Sequence, residues 1–127
     1  MRLLLLASAG GAIGAGMRFA FGQWVAEKGW AAYPWATLVV NVTGSLLMGV
    51  AAGLITAKAT TLGPELRVFL ATGILGGYTT FSAFSLEAWQ LAERGEIAAA
   101  VAYVASSVVL SIAALGVGLL LARLLAG

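Results

Sequence analysis

Four long apolar runs, separated by three short polar segments, set the strongest limit on this 127-residue chain. They cover about residues 3–25, 35–57, 65–92 and 97–125. Each reaches or exceeds the ~20 residues that a helix needs to cross ~30 Å of hydrocarbon. The connecting segments are AEKGWAAYP, KATTLGP and ERGE, too short to carry a second domain. Water-facing domains are about half apolar and a quarter charged. This chain is 61% hydrophobic and 9% charged, too apolar for a globule of its size to hide. The expectation is an all-α membrane protein, residues 1–127 forming a single domain of four transmembrane helices.

The chain ends and loops fit that reading. Pro64 stands in the first turn of the third span, where its missing N–H costs little. Trp24, Trp30, Tyr33, Trp35 and Trp89 cluster near predicted ends, as an interfacial belt would. MRLLLLASAGGAIGAGM has the outline of a signal peptide. Its apolar run continues to Phe21 and Trp24, which favours a retained span.

Several functions are removed by what is missing. There is no Cys and no His, and all five acidic residues are Glu. Thiolate chemistry and imidazole bases are therefore absent, and an enzyme has few groups to work with. A net charge of +2 is too small to imply nucleic-acid binding.

Charge also bears on orientation. Four spans put Arg2, Lys58, Arg67 and Arg123 on one side, and Arg18, Lys28 and Arg94 on the other. Four against three gives the positive-inside rule little to act on. Either one basic residue decides weakly, or the chain inserts both ways and pairs with an inverted copy. Gly10 and Gly14, Gly49 and Gly53, and Gly73 and Gly77 form small-xxx-small pairs that let helix backbones approach. They serve packing within one subunit or between subunits. With so short a chain, they favour an oligomer.

Polar groups inside the spans need partners or a watered path. Thr37, Asn41 and Ser45 share a face of the second helix, and Tyr103, Ser107 and Ser111 repeat that spacing in the fourth. A lone hydroxyl usually bonds its own i−4 carbonyl. Asn41 has more hydrogen-bonding capacity and either joins helices or faces a pore. Apart from Glu87 and the end-positioned Arg18, no charge lies deep in a span. Such neutral donors suit an anion or a small neutral solute better than a cation or a proton-coupled pump.

The third span carries the most disruption, GILGGYTTFSAFS at 73–85. Gly73, Gly76, Gly77 and the pair Thr79–Thr80 weaken a helix here. A kink is one outcome. A full interruption frees backbone groups that only protein or ions can satisfy, and discontinuous helices often build ion sites. Phe81 and Phe84 bring ring edges, the positive part of the aromatic quadrupole, to the same region.

GGYTTFSAFSLE closely resembles the GG-x-TTFS-x-FS-x-E pattern of the Fluc (CrcB) fluoride channels. GAIGAGMRF, TLVVNVTGS and YVASSVVLS are similar to other conserved stretches of that family, and the resemblance covers the whole chain. It implies a broken third helix and an antiparallel, dual-topology homodimer in the prokaryotic inner membrane. It also implies two pores that pass F− and reject Cl−. A structural Na+ on the twofold axis is implied, held by the backbone carbonyls of Gly76 and Thr79. Asn41, Phe81 and Phe84 would line the pore with Tyr103, Ser107 and Ser111, joined by Thr37, Thr80 and Ser82. Arg18 takes the vestibule position and Glu87 that of the acid after the motif. Tyr78 falls in a variable slot.

Two other readings compete with it. A small proton-coupled multidrug exporter needs an acid in its first helix, and residues 3–25 contain none. A non-transporting scaffold leaves both polar stripes unexplained.

Overall fold

The computed structural model describes residues 1–57 and 63–127. Lys58, one of the basic residues weighed for orientation, lies outside them. The described chain is helical: α1 (Arg2–Glu27), α2 (Trp35–Ala57), a third span in pieces, and α6 (Ile97–Ala126). The third span comprises α3 (Pro64–Arg67), a π-helical segment (Val68–Leu75), α4 (Gly76–Tyr78) and α5 (Phe81–Glu93). All four spans are long and apolar enough to cross a membrane.

Two helix ends close in the same way. After α1, Gly29 at φ 76° lets its N–H reach the Ala26 carbonyl while the Trp30 N–H reaches Val25. After α5, Gly95 at φ 78° lets the N–H groups of Gly95 and Glu96 reach Ala92 and Leu91. Both are Schellman closures, which need a left-handed residue that glycine adopts without strain. They explain how ERGE suffices as a connection and how the chain turns away from α1 at EKGW.

Packing pairs α2 with α6 and α1 with the third span. Both contacts are backbone-close because of small residues. A Cβ on Gly10 would collide with the Phe69 carbonyl and Gly73, and one on Gly14 with the Ile74 carbonyl. Gly77 faces the backbone of Gly11 in the same way. Gly49 lies against Leu115 and Gly118, and Gly53 against Ala122. The three small-residue pairs are thus consumed inside one subunit, through close van der Waals packing.

The break differs in detail from the expectation. Gly73, Gly76 and Gly77 are all helical, and the interruption falls on Thr79 and Thr80, both extended. At Gly73 and Gly77, α1 packs against the surface where side chains would be, and the chain there stays helical. The threonines turn because other groups replace their helical hydrogen bonds. The buried apolar centre, formed by Leu38, Phe84, Leu91, Ala100 and Tyr103, sits beside this break.

Candidate functional site

The break is fixed by side chains rather than by a turn. The Asn41 amide pairs with the backbone of Thr80 in both directions: Nδ2 donates to the carbonyl at 2.9 Å, and Oδ1 accepts the N–H at 2.8 Å. Thr80 Oγ1 in turn accepts the Ala83 N–H at 3.1 Å and caps α5. These bonds redirect two donors that a continuous helix would have returned to residues 76 and 79. The Thr80 N–H no longer reaches the Gly76 carbonyl, and the Ala83 N–H no longer reaches the Thr79 carbonyl. One residue along, Arg18 Nε approaches the Gly77 carbonyl at 3.4 Å.

A cleft of about 410 Å³ opens beside the break. It brings together Asn41, Ser45, Thr79, Thr80, Phe81, Phe84, Ser107 and Ser111, with Gly44, Met48, Val108, Ile112 and Leu115 completing the wall. Among the described residues, no charged one lines it. Ser107 is buried, and its Oγ is without a hydrogen-bond partner among the described residues. A buried hydroxyl left in that state needs a physical reason. Phe84 is 8% exposed, whereas Phe81 is 78% exposed. Their ring centroids lie 5.5 Å apart, tilted by 56°.

Behind Phe84 the polar path continues. Its ring lies 5.2 Å from that of Tyr103, whose hydroxyl donates to Glu87 Oε2 at 3.0 Å. Thr37 Oγ1 donates to the other carboxylate oxygen at 2.8 Å. Both oxygens of the one acid well inside the third span are therefore hydrogen-bonded. Two further cavities, of about 260 and 280 Å³, meet at Thr37 and Glu87. One carries Arg18, and the other carries Gln90 and Arg94.

The residues singled out in the sequence thus fall into a cleft group, a carboxylate group and the break itself. Ser82 stands outside the cleft, exposed, with its hydroxyl 3.4 Å from that of Thr80. Gly76 is likewise exposed and off the cleft wall, while Thr79 is on it. Sequence reasoning gave no role to Thr43, Gly44, Met48 or Tyr78. Thr43 and Gly44 lie off the polar stripe of α2, so spacing did not mark them. Tyr78 was set aside as a variable position.

Fold and site define a small polytopic membrane protein with a largely apolar cleft, dotted with hydroxyls and one amide, built against a broken helix. Comparison with known proteins assigns it further. The profile of the family described as CrcB-like protein, Camphor Resistance (CrcB), matches residues 5–119. The chain belongs to this family. It is 50% identical over 123 residues to the fluoride-specific ion channel FluC of Rhizobium meliloti, covering 97% of this chain and 98% of that protein. It is 52% identical over 123 residues to FluC of Rhodospirillum centenum, covering 97% of each. With FluC of Erythrobacter litoralis it shares 50% identity over 123 residues, covering 92% of this chain and 89% of the relative.

Proposed function

We propose that this chain is a fluoride-specific ion channel that lets F− leave the cell passively. The carrying observation is the cleft: hydroxyls, an amide and two phenylalanine rings in an apolar wall with no charge among the described residues, beside a buried Ser107 hydroxyl that has no partner among them. A strongly hydrated small anion must exchange its water shell for other donors. Conduction also requires that binding stay weak enough for release. Ser107, Ser111 and the Phe81 and Phe84 edges supply weak donors of that kind. Asn41, Thr37, Thr80, Tyr103, Arg18 and Glu87 belong to the same path, as contacts or as supports, and Ser82 joins it only through its contact with Thr80. No step consumes energy in this reading. The potential contributes about 2.3 kcal/mol per charge per 100 mV and drives an anion out of a negative interior.

The working unit in this reading is an inverted homodimer in the inner membrane. Ser82 and Ser85 are exposed beside Phe81 at the break, a poor surface to present to lipid. A second copy covers them, and the near balance of basic residues permits it to insert upside down. The Gly76 and Thr79 carbonyls, released from their helical donors, fit a hard cation such as Na+, which neutral carbonyl oxygens suit. Held there, Na+ would supply positive charge close to the anion path.

The test is the reversal potential in planar bilayers. A F−-specific pore follows the F− gradient at about 59 mV per tenfold and ignores an opposing Cl− gradient. A reversal potential that tracks Cl− overturns the reading.

A further inference from the structure

Residues 76–78, the last helical turn before the break, read Gly-Gly-Tyr. Two of its three residues have no side chain and the freest backbone available. The rotation of that turn sets where the Gly76 carbonyl points; Arg18 reaches the turn's Gly77 carbonyl from α1, and Tyr78 supplies the turn's own side chain, which reaches α2. The Tyr78 hydroxyl lies 3.0 Å from Thr43 Oγ1 on α2. The direction of that bond follows from proton count. Thr43 has a single hydroxyl hydrogen, and its Oγ1 lies 2.7 Å from the Val39 carbonyl, which can only accept. Tyr78 is therefore the donor to Thr43. The Tyr78 ring and the Thr79 methyl group both press on α2 at Gly44.

Successive break residues thus each meet one residue of a single turn of α2: Tyr78 with Thr43, Thr79 with Gly44, and Thr80 with Asn41. Of these, the tyrosine–threonine bond is the one that does not touch the cleft, since neither residue lines it. We propose that Tyr78 and Thr43 are a positioning pair, whose hydrogen bond fixes the last turn before the break and so aims the Gly76 and Thr79 carbonyls. The pair acts on the ion path only through that backbone. Its sodium readout below rests on the proposed carbonyl site, whereas its exchange readout does not.

The test uses full-length protein in liposomes, with Tyr78→Phe, Thr43→Val and the double variant. Tyr78→Phe keeps the ring against Gly44, so a purely space-filling tyrosine predicts no change. The pair predicts about fivefold more Na+ for half-maximal F− efflux, the worth of one neutral hydrogen bond. It also predicts at least fivefold faster amide exchange in peptides covering residues 76–83, unchanged elsewhere. The double variant should match either single one, and Thr43→Ser, which retains the hydroxyl, should match wild type. Wild-type exchange in both Tyr78→Phe and Thr43→Val overturns the proposal. If Tyr78→Phe does not fold, Thr43→Val removes the same bond from the other side and decides. Wild-type efflux indifferent to Na+ would count against the cation site alone, and the exchange comparison would still decide the pair.

Discussion

Asn41 and Phe84 carry the argument at the scale of single residues. Asn41 was recognisable in the sequence as a buried amide that must either join helices or face a pore. The structure has it joining helices while standing on the cleft wall. Its partner could not be read, because Thr80 is 39 residues away and spacing within one helix says nothing about register against another. Asn41→Leu strands an N–H and a carbonyl, each at a cost of about 1–3 kcal/mol when buried. The variant should lose monodispersity on size exclusion and unfold at lower temperature in detergent. Wild-type stability would show that water replaces the amide. Phe84 sits between the cleft and the Tyr103–Glu87 pair, touching Phe81 on one side and Tyr103 on the other. Phe84→Ile and Phe81→Ile keep bulk but lose the ring edge. Each should cut F− flux at least tenfold at equal amounts of folded protein, and undiminished flux in both would remove the rings from the mechanism.

At the scale of elements, the four helices were legible because length and apolarity alone mark a span, and the observed ends fall within two residues of those expected. The π-helical segment was not legible. Nothing in VFLATGIL distinguishes i→i+5 bonding, which arises where the chain meets α1 across glycine backbones. The break was placed on the right stretch, and of the residues credited with it Thr79 and Thr80 carry it while Gly73, Gly76 and Gly77 stay helical. Glycine has poor helix propensity in isolation, yet here it is what permits close packing. Gly14 and Gly16 separate the two roles. A Cβ at Gly14 meets the Ile74 carbonyl, whereas one at Gly16 has open space. Gly14→Ala should destabilise by about 1–3 kcal/mol as an overpacked contact. Gly16→Ala should stay within about 0.5 kcal/mol of wild type. Thermal unfolding of the two variants side by side measures the difference, and equal stability would contradict the packing described.

The whole molecule poses the question of what one copy leaves undone. A single chain ends its break in Phe81, Ser82 and Ser85, which the described residues leave exposed. Its basic residues divide four against three, so orientation is weakly determined. A tag fused after Gly127 should then be accessible from both faces of intact membranes, and labelling from one face alone would contradict dual insertion. The charge balance was visible in the sequence from the start, but the face that needs covering emerged only once the helices were packed. The proposed anion cleft, with the Ser107 hydroxyl that is unpartnered among the described residues, opens beside the same surface. The most direct measurement is ion release from liposomes holding the purified protein, with a K+ ionophore present to dissipate the charge that a lone anion leaves behind. The account predicts rapid loss of F− and retention of Cl−. Retention of F−, or loss of Cl− at the same rate, would contradict it.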